Sequence, residues 1–326
     1  MKVWAKIGER GIVGMKEYIL ISDEVKDAVE SGQPVVAFET SILTHGLPQP
    51  YNVALAKEVQ EIAGSMGVVP ATTAVIQGKL RVGLTDEEID FLGTEPGIAK
   101  AGYRDLAILM TTKGSGGTTV ASSIALAEMA GIRVFITGGI GGVHRGAPTT
   151  FDISADLFIM SRVDVATVCA GMKSILDIKL SMEVLETLGI PVIGYGTDIL
   201  PGFHVRETDY KGLYAAESPE DIARIMMSKW SSGLKGGLLV TVPIPEEDET
   251  DPVLLNDAIC RAVHEANEKG IKGKDVTPYI LFRLGELTGG ATLKANLSLV
   301  RNNTRVGCDI ARSYSRQSKI QSTYAR

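Results

Sequence analysis

The chain has 326 residues, 44% of them hydrophobic and 22% charged, which excludes a disordered polymer or a fibrous repeat and allows a large buried core. Lys and Arg total 33 against 39 Asp and Glu, a net charge of -6 that offers no general attraction for nucleic acid or an anionic membrane. Glycine is the unusual component: 36 residues, about one in nine, against a typical level of about 7%.

Short β-branched runs alternate with longer amphipathic ones. Residues 34–39 (PVVAFE) predict a buried strand, and residues 52–66 a helix with Val53, Ala56, Val59 and Ile62 along one side. Residues 71–77 are strand-like, and 82–84 continue them after a turn. Residues 86–92 form a short acidic helix behind an N-cap at Thr85. Residues 106–112 read as a strand, 118–130 as a helix rich in Ala and Ser, and 134–137 as a strand running into glycines. The rhythm repeats with a strand at 165–169, a helix at 174–188 closed by Gly189, and a strand at 191–194. A helix at 218–230 opens with Ser218-Pro219-Glu220, and a strand follows at 238–242. Residues 251–269, 276–288 and 297–315 are helical. Nearly all-apolar strands alternating with helices imply an α/β fold: a mostly parallel central sheet with helices on both faces (α/β/α) and helical additions at the C-terminus. The chain divides into an N-terminal extension and lead-in, 1–21, and a single α/β domain, 22–326.

Cys169, Cys260 and Cys308 are too sparse and too widely spaced for a disulfide scaffold or a CxxC metal site, which suits a reducing cytoplasm. No apolar run reaches the roughly 18 to 20 residues of a membrane span. Residues 1–14 carry charges throughout and lack the apolar core of a signal peptide.

Functional groups in open parallel sheets gather at the carboxyl ends of strands. Glu39 ends the first strand; a carboxylate there is either functional or a cap for a neighbouring helix. Residues 113–119 (KGSGGTT) lead into a helix N-terminus that suits an anion, although a plain turn reads equally well and the Walker ending is missing. Residues 137–146 (TGGIGGVHRG) are the most distinctive stretch. So many glycines make sense where backbone passes close to a ligand or to other backbone, with His144 and Arg145 as anion donors. Asp152 and Asp156 follow, separated by small residues, as oxygen ligands for a hard divalent cation or as ordinary turn and cap residues. Lys173 ends the fifth strand beside a predicted helix start. A desolvated site at the positive end of a helix favours an uncharged amine, the nucleophile of Schiff-base chemistry; an exposed lysine on a first turn is the plainer reading.

Together these strings closely resemble the pseudouridine-5'-phosphate glycosidases, also called pseudouridylate synthases. The resemblance is carried by Glu39-Thr40-Ser41 with Thr44-His45-Gly46, by Val69-Pro70-Ala71-Thr72, by Arg104-Asp105-Leu106 and by Gly117-Thr118-Thr119-Val120-Ala121. It continues through residues 137–156, residues 169–177 (CAGMKSILD), Pro243-Ile244-Pro245-Glu246, Leu287-Thr288-Gly289-Gly290, Asn296 and Asn302-Asn303, so it covers about residues 22–312. It implies reversible cleavage of pseudouridine 5'-phosphate to uracil and ribose 5-phosphate, with one manganese ion per subunit, in a homotrimer. It implies Lys173 as the catalytic lysine, Glu39 as the general acid/base and Asp152 at the metal. Lys100, Val120, Ser154, Ala155, Asp156 and Asn296 match its substrate contacts. Phe38, Met172 and Tyr103 depart from its usual leucine, alanine and arginine, and Met172, beside the lysine, bears on the packing there. Residues 1–14 lie outside it, which leaves Met15 as an alternative start.

The chemistry explains the residue types. A carbon–carbon glycosidic bond lacks the heteroatom that an ordinary glycosidase protonates, so an electron sink on the sugar is needed. Lys173 bonded to C1' of the opened ribose supplies that sink, and Glu39 shuttles protons. The phosphate requires donors, for which Lys100, His144, Arg145 and the loop around Thr118 are candidates. The alternatives are a Schiff-base aldolase or other ribose 5-phosphate lyase, and an inactive nucleotide-binding module.

Overall fold

The computed structural model describes residues 18–271, 273 and 276–324; the choice between Met1 and Met15 as the start falls outside them. In chain order the strands are β1 (Ile19–Ile21), β2 (Val35–Phe38), β3 (Val69–Ile76), β4 (Lys79–Val82), β5 (Ala99–Ala101), β6 (Gly116–Thr118) and β7 (Val134–Ile136). There follow β8 (Val143–His144), β9 (Ala166–Cys169), β10 (Leu176–Asp177), β11 (Val192–Tyr195), β12 (Tyr214–Ala216) and β13 (Leu238–Thr241). The principal sheet has 11 strands, with the path β1-β4-β3-β2-β7-β9-β13-β11-β12. From β3 to β12 every pairing along this path is parallel, while β4 runs antiparallel to β3. Residues 19–21, assigned to the lead-in by the sequence, pair with β4 along this edge.

The longer helices are α1 (Asp23–Glu30), α2 (Tyr51–Ser65), α3 (Asp86–Thr94), α4 (Leu106–Thr112) and α5 (Val120–Met129). After the short α6 (Ala147–Thr150) and α7 (Ala155–Met160) come α8 (Ile178–Thr187), α9 (Pro219–Ser231), α10 (Pro252–Glu268), α11 (Val276–Leu287) and α12 (Ala291–Tyr324). Alternate strand residues feed two cores. Val35, Ala37, Phe135 and Leu239 pack with side chains of α1, α5, α8 and α10. Val36, Phe38, Ile136 and Val240 pack with side chains of α2, α9 and α12. A sheet buried on both faces needs apolar residues at every position, which accounts for the unbroken apolar strands.

Two elements differ from the sequence reading. Residues 106–112 form helix α4, not a strand. Leu106, Leu109 and Met110 turn inward at helical spacing, whereas Ile108 is 60% exposed. Seven residues are too few for periodicity to separate the two states. The helix predicted from 174 begins at Ile178, capped by the Asp177 carboxylate, which accepts from the Leu180 N–H at 3.0 Å. Residues 176–177 pair instead, antiparallel, with 143–144. Lys173 therefore does not sit at a helix end, and that electrostatic argument loses its basis.

Thr85 caps α3 as predicted, in a reciprocal box with Glu88. Thr85→Ala should cost about 1 kcal/mol, measured as a lower urea midpoint with an unchanged slope.

Candidate active site

Glu39 follows β2, Thr137 follows β7 and the run 170–173 follows β9, so three adjacent parallel strands end at one place. Beyond the strands the backbone keeps pairing. The Ala170 N–H donates to the Gly138 carbonyl at 2.9 Å, Ile140 N–H to Gly171 at 3.1 Å, and Lys173 N–H to Ile140 at 3.1 Å. This brings the glycine-rich run and the lysine run together above the sheet. The cavity there encloses about 400 Å³ and is lined by Glu39, Lys173, Lys100 and His144. Val120, Ser154, Ala155, Asp156 and Asn296 complete the set that reaches it from the sequence reading.

Glu39 is 9% exposed, and its two carboxyl oxygens accept hydrogen bonds from the hydroxyls of Ser41 and Thr137. Among the described residues the Lys173 ammonium has no hydrogen-bond or ion-pair partner. Met172 points the other way and is 1% exposed in the core, so this departure from the family pattern leaves the cavity wall unchanged. Tyr103 does line the cavity, and Phe38 lies in the core beneath it.

His144 is half-buried, and its N–H donates to the Asp152 carbonyl at 2.9 Å. Burial pushes its imidazole below the usual histidine range, the charges of Lys173 and Lys100 push the same way, and Asp152 opposes them. The shift favours the uncharged imidazole, so the anion donor read from the sequence offers a hydrogen bond more readily than a charge.

Asp156 is a strut. One oxygen accepts from the Ala121 N–H at 2.9 Å and the other from the Gly141 N–H at 2.8 Å. It thereby occupies part of the α5 N-terminus that the sequence offered to an anion. Gly141 must be glycine, since a Cβ there would lie 2.3 Å from the Ser154 hydroxyl. Gly116 and Gly117 belong to strand β6, not to a phosphate loop; a Cβ on Gly117 would lie 2.8 Å from the Thr40 carbonyl.

Three predicted residues lie apart from the lining. Thr118 is fully buried, and its hydroxyl donates to the Thr73 carbonyl at 2.7 Å beneath the site. Arg145 is exposed and points elsewhere, whereas Arg104 and Arg162 reach the cavity. Asp152 stands behind His144 rather than in the wall. Among the described residues no three His, Cys, Asp or Glu side chains gather in metal-binding geometry. Asp152 alone suits a hard divalent ion that keeps most of its water.

Sequence reading missed several residues in or beneath the cavity. His45 lies in the quoted motif and lines the cavity from a π-turn, Ile42–Gly46. Pro278 and Leu281 reach it from α11. Phe203, which lines the cavity, and His204, buried behind it, come from an irregular loop after β11 that carries no periodic signal. His204 is fully buried; it shares a 3.1 Å hydrogen bond with the Ser174 hydroxyl and a 2.9 Å bond with Asn296 Oδ1.

A buried carboxyl group and an unpaired amine share one cleft at the carboxyl end of a parallel sheet, an arrangement chemically suited to an α/β enzyme. The family model described as indigoidine synthase A like protein matches residues 24–313. A protein of Alkaliphilus metalliredigens named pseudouridine-5'-phosphate glycosidase is 48% identical over 297 residues, 91% of this chain and 97% of its own. One of the same name from Brachyspira hyodysenteriae is 50% identical over 305 residues, 94% and 99% of the two chains. The chain belongs to this family of enzymes. The prealnumycin C-glycosynthase AlnA, solved in complex with ribulose 5-phosphate, superimposes with a TM-score of 0.85 at 38% identity, covering 93% of this chain and 99% of AlnA. An indigoidine synthase A-like protein of Thermotoga maritima gives 0.83 at 36% identity, covering 91% and 97%.

Burial lowers the His204 pKa to about 4, the Asn296 hydrogen bond opposing the shift. The unfolded chain therefore takes up a proton near pH 6.5 that the folded one refuses until about pH 4. This contribution is intact above pH 6.5 and lost as pH falls toward 4. Urea unfolding across that window should show stability declining with acid, and His204→Gln should flatten the slope.

Proposed function

We propose that the protein reversibly cleaves the carbon–carbon glycosidic bond of pseudouridine 5'-phosphate, giving uracil and ribose 5-phosphate, through a Schiff base on Lys173. The observation that carries this reading is the unpaired Lys173 amine in the same cavity as the Glu39 carboxyl. The names of the relatives supply the substrate, and the ribulose 5-phosphate complex of AlnA supports a pentose 5-phosphate as the sugar.

The Glu39 carboxyl gives a proton to the ring oxygen as the C1'–oxygen bond breaks. The Lys173 amine forms a bond to C1' and surrenders a proton to the Glu39 carboxylate. Glu39 then protonates uracil C5; the C1'–C5 bond breaks with its electron pair returned to the uracil ring, while the nitrogen lone pair forms the C1'=N iminium. Water adds to C1', the C–N bond breaks, and ribose 5-phosphate leaves as its aldehyde with the amine restored. In reverse, the nucleophilic C5 of uracil attacks the iminium. The Ser41 and Thr137 hydroxyls suit a carboxyl group that alternates, because a hydroxyl donates to a carboxylate and accepts from a carboxylic acid.

Lys100, Arg104 and Arg162 supply the positive charge for the phosphate, in place of Arg145. Asp152 would tether a hydrated manganese ion, which when bound offsets phosphate charge and orders water. Assembly as a homotrimer fits the exposed apolar side chains Phe151, Ile153 and Phe158, the last of which lines the cavity. Among the described residues no helix is long and apolar enough to cross a membrane, and a cytoplasmic location fits the absence of any disulfide among the three cysteines described.

Borohydride with ribose 5-phosphate should trap a covalent adduct that mass spectrometry maps to Lys173. Full uracil release by Lys173→Ala would sink the mechanism. Glu39→Gln should lower kcat by roughly 100-fold or more. Asp152→Ala should abolish stimulation by manganese in the uracil-release assay.

A further inference from the structure

A buried polar chain runs from the cavity wall at Asn296 down to His204 and Ser174, and no step of the proposed reaction uses it. Ser174 follows the reactive lysine, Asn296 sits on α12 and lines the cavity, and His204 joins them from the loop after β11. The histidine cannot drift. The Phe203 N–H donates to the Ala170 carbonyl at 3.0 Å, and the His204 carbonyl accepts from the Thr250 N–H at 2.9 Å.

The directions of the hydrogen bonds follow from chemistry. An amide oxygen only accepts, so His204 Nε2 carries the proton shared with Asn296 Oδ1. A neutral imidazole has one donor and one acceptor, so Nδ1 accepts from the Ser174 hydroxyl. With Oδ1 engaged, the side chain of Asn296 has only its NH₂ group to offer the cavity; that group has no hydrogen-bond partner among the described residues.

We propose that His204 is a positioning residue: it locks the Asn296 amide with its oxygen turned inward, so that Asn296 presents only donors and selects an acceptor oxygen on the substrate. Without the histidine the amide would rotate, and a substrate oxygen would meet a carbonyl in part of the population. A lost donor contact of this kind weakens binding roughly three- to tenfold. The acceptor is an oxygen of the base or of the sugar phosphate, and the two sources separate experimentally. The inference rests on the reaction proposed above only for its turnover assay.

The test is a double-mutant cycle of His204→Leu and Asn296→Ala, read as KM and kcat for uracil release from pseudouridine 5'-phosphate. His204→Leu alone should raise KM roughly three- to tenfold with a smaller change in kcat. In the Asn296→Ala background it should raise KM no further. His204→Gln, whose amide can donate to the same oxygen, should recover most of the affinity. Inhibition constants for uracil alone and for ribose 5-phosphate alone identify the acceptor by which of them weakens. An equal KM increase in both backgrounds, or no increase in the single variant, would overturn the proposal. If His204→Leu does not fold, by its thermal melt, Ser174→Ala is run through the same cycle, because it frees the imidazole to take the other tautomer; additivity there likewise overturns the proposal. If the wild-type protein releases no uracil, the reaction fails, and calorimetric titration of uracil and ribose 5-phosphate into the same variants still decides the role of His204.

Discussion

The pairing of two irregular backbones above the sheet is the constraint on which the site depends. The runs 138–140 and 170–173 leave neighbouring parallel strands and stay hydrogen-bonded to each other where regular strand structure has ended. Glycines tolerate that approach because no side chain has to be placed between the two chains. One consequence is the position of Lys173. It is carried out of the sheet on a short segment tethered by backbone hydrogen bonds, so its backbone has a defined place although no helix or strand bears it.

The same constraint separates two buried carboxylates that look alike in sequence. Asp156 is bound by two backbone N–H groups, which can only donate. Such partners hold a charged strut that ties α5 to the glycine-rich run. Glu39 is bound by two hydroxyls, which can turn to serve either form of a carboxyl group. The distinction between an acid fixed as an acceptor and one free to hold or release a proton lies in the partners. Those partners come from different strands and loops: Ser41 is two residues from Glu39, but Thr137 is 98 residues away.

Much of the fold was legible because the strands are apolar on both faces and the helices alternate with them. Residues 35–38, 134–136, 166–169 and 238–241 were found close to their true bounds for this reason. The failures have equally physical causes. The seven residues of α4 contain apolar side chains whose inward or outward direction depends on what packs against them. The glycines at 116–117 resemble an anion loop but are required by close packing, Gly116 against Ala99 and Ala101 and Gly117 against Thr40 and Thr44. Arg145 and His144 adjoin in sequence, yet one points to solvent and the other is half-buried against two lysines.

Sequence alone determined the α/β architecture, since apolar periodicity is a local property, and the family resemblance singled out Lys173, Glu39 and Asn296, which the fold brings to one cavity. Tertiary structure alone decided which charges meet. It put Asp156 on the helix N-terminus reserved for an anion, favoured the uncharged form of His144 among lysines, moved Arg145 outside the cavity and brought Arg104 and Arg162 to it. It also placed His204 under Asn296, 92 residues away in the chain. Charge state and hydrogen-bond direction depend on the neighbours within a few ångströms, and in a sheet with crossover connections those neighbours come from distant parts of the chain.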